Sequence, residues 1–228
     1  MRCYDQTKTG RQYQAFLFDM DGTLINSIPM VERIWRSWAE KQKLNAAGLL
    51  TKIHGIRAVD AIAALHLPGI DPAEEAANLL GEELSSTAGI FPIPGVLQFL
   101  SQLPLERWAI VTSAPRALAE FRLAAMGIAS PRVMVCAEDV SSGKPDPACY
   151  ELGAALLGFS PQDCLVFEDA PAGILAGERA GADIVVITTT HAHLLETDHL
   201  AVASFNDLVA AVTGQGLLEV RTAPKETP

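Results

Sequence analysis

The chain has 228 residues, 49% of them hydrophobic, which is ample apolar material for a packed core and excludes an intrinsically disordered protein. Lys and Arg number 17 against 27 Asp and Glu, a formal net charge of −10, and this argues against a protein that grips nucleic acid through its phosphates. No run approaches the roughly 20 apolar residues of a membrane-spanning helix, and residues 1–12 hold no apolar leader, so a cytoplasmic protein with small polar partners is expected, as a monomer or weak homo-oligomer. Cys3, Cys136, Cys149 and Cys164 lie far apart with no C-x-x-C pair. They read as small buried hydrophobes, without a zinc site or disulfide framework.

In chain order, short β-rich runs at 15–18, 108–111, 133–136, 164–167 and 184–187 read as strands. Helical patterns fill 116–126, 147–157, 173–180 and 205–212, and Asp146-Pro147 and Ser160-Pro161 carry helix-initiating chemistry. Alternating strand and helix predicts an α/β fold, a Rossmann-like parallel sheet covered on both faces. The gap between the first two strands breaks that rhythm. It carries helical patterns at 30–42, 59–65 and 72–84 and no convincing strand, so a helical cap is expected at 25–94, inserted after the first strand. Pro29, Pro92, Pro94 and Gly95 stiffen its two connections. The core domain then spans 14–24 and 95–213, with terminal extensions at 1–13 and 214–228, the latter without apolar periodicity.

Ligands of an open parallel sheet bind at the carboxyl ends of its strands. There the first strand ends in Asp19-Met20-Asp21-Gly22-Thr23, the second in Thr112-Ser113 and the fourth in Glu168-Asp169, while Lys144 follows the third. Carboxylates converging on one edge suit a hard divalent cation, and their mutual repulsion would be costly without one. Mg²⁺ is expected, held by the Asp19 side chain, the Asp21 backbone carbonyl and Asp169, with Glu168 helping directly or through water. Lys144, the Thr112 hydroxyl and backbone N–H groups after Asp19 and at Ser113 supply positive field for a phosphate.

With Asp19-x-Asp21-Gly22-Thr23, Thr112, Lys144 and Glu168-Asp169 in this order, the sequence resembles the haloacid dehalogenase-like hydrolase superfamily across roughly residues 14–212. The resemblance implies a capped Rossmann-like core. It makes Asp19 the nucleophile that takes the phosphoryl group, and Asp21 the acid that protonates the leaving alcohol and then the base that activates water. The second aspartate disfavours a dehalogenase.

Within that superfamily the strings His54-Gly55-Ile56-Arg57, Asp60-Ala61-Ile62 and Phe167-Glu168-Asp169-Ala170-Pro171-Ala172-Gly173-Ile174 resemble the small sugar-phosphate and glycerol-phosphate phosphatases. The implied activity is hydrolysis of a small phosphorylated sugar or polyol, with His54 and Arg57 as cap residues for the substrate. Each also has a plain structural reading, a cap for His54 and a helix-surface charge for Arg57. Trp35 and Trp38 read as packing residues on the first cap helix. His191, His193 and His199 read as a solvated loop, not a metal site. Asn26 stands where many relatives carry Asp. A phosphomutase of the β-phosphoglucomutase type uses the same motifs and is the alternative. A phosphonatase would need a cap lysine in a context that Lys41, Lys43 and Lys52 do not show. A non-catalytic binding module conflicts with the complete set of acids and lysine.

Overall fold

The computed structural model describes residues 11–191 and 196–224. Cys3 and His193 lie outside the described residues. Gln12–Tyr13 (β1) and Ala15–Phe18 (β2) open the chain, and a tight loop leads to Ile25–Asn26 (β3). Four helices follow: Ile28–Lys41 (α1), Ala46–Ile53 (α2), Ala58–Ala63 (α3) and Pro72–Leu84 (α4). Phe91–Pro92 (β4) then returns to pair antiparallel with β3. The remaining order is Val96–Ser101 (α5), Trp108–Val111 (β5), Arg116–Ala125 (α6), Val133–Val135 (β6), Ala148–Leu157 (α7), Cys164–Glu168 (β7), Pro171–Ala180 (α8), Asp183–Ile187 (β8), Leu200–Val202 (β9), Leu208–Val212 (β10) and Leu218–Thr222 (β11).

Six strands form one parallel sheet in the order β6-β5-β2-β7-β8-β9. The chain starts in the middle and winds outward in both directions, so the order reverses around β2. The carboxyl ends of β2, β5 and β7 therefore border the crevice where such sheets take ligands. These strands are apolar runs buried at every residue, as expected where helices cover both faces. Phe16, Phe18, Ile110 and Phe167 pack one face with Phe99 of α5 and with Phe205. The Phe18 and Phe167 rings stack 4.6 Å apart. Leu17, Ala109, Val111 and Val166 pack the other face against Cys149, Tyr150 and Ala154 of α7 and Ala176 of α8. Cys136, Cys149 and Cys164 are buried free thiols, as the sequence suggests.

The helical segment after β2 is built from local signals. Pro29 lies in the first turn of α1, the Asn45 side chain accepts the Gly48 N–H ahead of α2, and Asp71 accepts the N–H groups of Ala73 and Glu74 with Pro72 opening α4. Trp35 and Trp38 are buried on α1 in an edge-to-face pair 5.6 Å apart, and Trp35 also lines a cavity shared with Asp19 and Asp21.

Several elements differ from the sequence expectation. The segment expected to be mostly helical, with no convincing strand, contains the β3/β4 ribbon where it joins the sheet, two residues per strand, too short to leave a pattern. Helices α2 and α5 and strand β9 are additional. Ser160-Pro161 opens a three-residue 3₁₀ turn, because β7 begins at Cys164. The expected terminal helix at 205–212 is a 3₁₀ turn followed by β10, in which Leu208 and Ala210 are buried and Val209 and Ala211 exposed, the period-two pattern of a strand. Of the segment expected as a C-terminal extension, residues 218–222 form β11, which pairs with β10 and with β1 in a three-stranded antiparallel sheet. The hairpin closes through N–H groups of Gln215 and Leu217 donated to the Thr213 hydroxyl oxygen.

Truncating Phe18 to Ala removes the ring that joins both halves of the aromatic layer. A cost of about 3–5 kcal/mol is expected, read as a lower urea midpoint at unchanged slope. A change below about 1 kcal/mol would contradict this view of the core.

Candidate active site

The loop leaving β2 is wound tightly. The N–H groups of Leu24 and Ile25 donate to the Met20 carbonyl at 2.9 and 3.0 Å, and that of Gly22 to the Ile25 carbonyl at 2.7 Å. The coil presents Asp19 and Asp21 to one cavity of about 100 Å³, lined also by Thr112, Ser113 and His54. Gly22 has φ +92°, and a Cβ there would fall 1.9 Å from Asp169 Oδ2. Glycine is required on both counts.

Lys144 is 3% exposed and its ammonium donates to Asp19 Oδ1 at 2.6 Å, Glu168 Oε1 at 2.7 Å and the Val111 carbonyl at 3.1 Å. Glu168 is fully buried. Its Oε1 also accepts the Tyr150 hydroxyl at 2.8 Å, and its Oε2 accepts the N–H groups of Asp169 and Ala170 at 2.9 and 3.1 Å. A Cβ on Gly173 would lie 1.6 Å from Glu168 Oε1, so the first turn of α8 makes room for that carboxylate. Asp169 accepts the Thr23 hydroxyl on Oδ1 at 3.2 Å. His191 Nε2 lies 2.8 Å from the Asp169 carbonyl.

Asp19, Glu168 and Asp169 offer carboxylate oxygens within 4.8 Å of one another. Burial pushes the Asp19 carboxyl from 3.8 up to about 7; Lys144 pulls it down and Glu168 pushes it further up. Burial also raises Asp169 well above the usual carboxylate range, with Glu168 and Asp19 adding to it. Lys144 is raised because the pull of Asp19 and Glu168 outweighs its desolvation. Three buried acids against one ammonium leave an excess of negative charge in a dry space. This donor set fits a hard divalent cation. The two oxygens of Glu168 also accept from four donors within the protein.

Asp21 is held differently. Its Oδ1 accepts from the Ser27 hydroxyl at 2.6 Å and from Arg122 Nη1 at 2.7 Å, while no described donor reaches Oδ2. Arg122 Nη2 donates onward to Glu83 Oε2 at 3.0 Å. Burial pushes the Glu83 carboxyl from 4.5 up to about 7, with Arg122 pulling it down. Sequence reading missed Arg122 and Glu83. The available signal was their register: Arg122 follows buried Leu118 by four residues on α6, and Glu83 follows buried Leu79 by four on α4.

One expected substrate contact is engaged elsewhere. The Arg57 guanidinium bonds Asp60 and the carbonyls of Ala137, Val140 and Ser141, fastening α3 to the stretch that precedes Lys144. The Ser113 hydroxyl donates to the Gly55 carbonyl at 2.9 Å, leaving its backbone as the candidate phosphate group. Thr112 Oγ1 accepts the Ala114 N–H at 3.1 Å, which orients the hydroxyl at the end of β5. His54 borders the cavity with Nε2 3.2 Å from Glu32 Oε1. His199 Nε2 lies 2.8 Å from Glu178 Oε1. The Asn26 Oδ1 is buried with no hydrogen-bond partner among the described residues.

A family model described as haloacid dehalogenase-like hydrolase matches residues 13–181, and the chain belongs to that family. It is 42% identical over 179 residues to hexitol phosphatase A of Escherichia coli, covering 76% of this chain and 82% of that protein. It is 38% identical over 189 residues to glycerol-1-phosphate phosphohydrolase 2 of Saccharomyces cerevisiae, covering 77% and 75%. A crystal structure of a hydrolase from Pseudomonas syringae superposes with a TM-score of 0.67 at 26% identity, over 78% of this chain and 85% of that one. Among the described residues no helix is long and apolar enough to cross a membrane.

A carboxyl raised by folding keeps its proton in the folded state while the unfolded chain releases it, so its contribution to stability falls as pH rises through about 7. Asn at position 19 cannot ionise. In metal-free protein, the stability of Asp19→Asn relative to wild type should therefore be greater at about pH 8 than at about pH 4, in paired thermal melts. An equal difference at both would contradict the raised value.

Proposed function

We propose that the protein is a Mg²⁺-dependent phosphatase that releases inorganic phosphate from a small phosphorylated sugar or polyol, with the phosphoryl group carried transiently on Asp19. The observation behind this reading is the pair of carboxylates facing one cavity, each clamped on a single oxygen: Asp19 by Lys144 and Asp21 by Ser27 with Arg122. Two relatives, a hexitol phosphatase and a glycerol-1-phosphate phosphohydrolase, point the same way. They favour hydrolysis over mutase chemistry.

In this reading the Asp19 carboxylate attacks phosphorus, and the bond to the leaving oxygen breaks. Asp21 gives its proton to that oxygen, then takes one from the water that attacks phosphorus and frees Asp19. The open Asp21 Oδ2 suits this exchange, since the clamp on Oδ1 fixes the group without occupying the other oxygen. Lys144 holds Asp19 in place and neutralises charge beside the phosphoryl group. Glu168 acts through Lys144, anchoring the ammonium. Asp19, the Asp21 backbone carbonyl and Asp169 would hold the cation, which supplies charge neutralisation that lets a carboxylate approach a phosphate. The Thr112 hydroxyl and the Ser113 backbone complete the phosphate cradle. Residues 25–94 act as a cap over the core formed by 14–24 and 95–213, with His54 at the cleft.

Phosphate release from hexitol phosphates and glycerol 1-phosphate tests this directly. Wild type with Mg²⁺ should turn over at least one of them, EDTA should stop it and Mg²⁺ restore it. Asp19→Asn should lose at least about a thousandfold in kcat while keeping its circular dichroism. Retained turnover in Asp19→Asn, indifference to chelator, or an isomerised phosphate ester in place of free phosphate would contradict the proposal.

A further inference from the structure

The leaving-group side of the cavity holds an ion-paired chain that crosses from core to cap. Arg122 on α6 is 2% exposed, and its two terminal nitrogens are taken by Asp21 of the core loop and Glu83 of cap helix α4. Among the described residues lining the cavity, Arg122 is the permanently cationic side chain. A guanidinium beside a phosphoester site would ordinarily recruit a second anion through a bidentate contact. Here both terminal nitrogens of that fork are taken from within the protein, while Nε is buried with no partner among the described residues; apart from His54, the rest of the cavity lining is apolar, hydroxyl-bearing or acidic.

Building on the phosphatase reading, the geometry points to Glu83 as a specificity-determining residue. By occupying the Arg122 fork, it excludes substrates whose remainder carries a carboxylate or second phosphate and selects those with a neutral hydroxylated remainder. An anionic tail entering this space would meet Asp21 and Glu83 with no free cation to pair with, and like-charge contacts of this kind are strongly unfavourable. Hydroxyl groups instead find acceptors in the same two carboxylates. The filter works only with the cap lowered, because Glu83 belongs to α4 and Arg122 to α6.

The test compares kcat/KM for glycerol 1-phosphate and 2-phosphoglycolate in wild type, Glu83→Gln and the double variant Glu83→Gln/Arg122→Gln. Assays at about pH 8 keep Glu83 above its value of about 7, and melting curves confirm folding. Wild type should favour glycerol 1-phosphate by at least about tenfold. Glu83→Gln should shift the ratio toward 2-phosphoglycolate by about tenfold or more, and removing the guanidinium in the double variant should cancel the shift. A wild type that prefers 2-phosphoglycolate overturns the inference whatever the variants do, as does an unchanged ratio in Glu83→Gln or an equal shift in the double variant. Absence of phosphate release from every monoester in wild type would overturn the phosphatase reading itself and this inference with it.

Discussion

An ammonium buried between two carboxylates is what the active-site end of this sheet is arranged around. Lys144 reaches Asp19 and Glu168 at 2.6 and 2.7 Å, and each of the three would be costly to bury alone. Removing one member of such a set leaves an uncompensated charge, at a cost of about 3–5 kcal/mol. The surroundings follow from keeping that set intact. Tyr150 and two backbone N–H groups hold Glu168, Gly173 leaves space for it, and Gly22 leaves space for Asp169. The winding of the sheet brings the ends of β2, β5 and β7 side by side, so residues more than a hundred positions apart share one dry volume.

The two aspartates of the first loop differ because their partners differ. Asp19 sits in the buried lysine cluster, where burial and Glu168 raise its carboxyl toward neutrality. Asp21 stands outside that cluster, bonded to a serine at the base of α1 and an arginine of α6. One carboxylate is thus placed among groups suited to a cation and phosphate, and the other among groups that hold it at the mouth of the helical segment. Three further contacts join that segment to the elements around the sheet: Arg57 on the carbonyls ahead of Lys144, Ser113 on Gly55, and Arg122 on Glu83. All of them end near residues that face the cavity, so the position of the helical segment and the geometry of the acids are mechanically linked.

The strand-end acids were legible in the sequence because each is fixed by local chemistry, an apolar run ending in an acidic residue with Gly or Pro soon after, and Lys144 because it stands between Gly143 and Pro145 after the third strand. The alternation that gives the parallel sheet was legible for the same reason. Arg122 and Glu83 were not, since a charge on an amphipathic helix ordinarily faces solvent and only the meeting of α4 with α6 supplies its partner. Arg57 was placed at the substrate by its string, whereas its guanidinium is consumed by backbone carbonyls that become neighbours only in three dimensions. Residues 208–212 were misread because a five-residue apolar run suits helix or strand equally. Pairing with Leu218–Thr222 decides it, and that pairing depends on a turn at 213–217.

The central claim is that Asp19, clamped by Lys144, is the group that carries the phosphoryl. A crystal structure of the protein with Mg²⁺ and beryllofluoride, a mimic of an acyl phosphate, tests it most directly. The account predicts the beryllium bonded to the Asp19 carboxylate, with Lys144 and Thr112 against its fluorines and Asp21 facing it from the leaving-group side. Beryllofluoride bonded to Asp21 or Asp169, or found away from the ends of β2, β5 and β7, would contradict it.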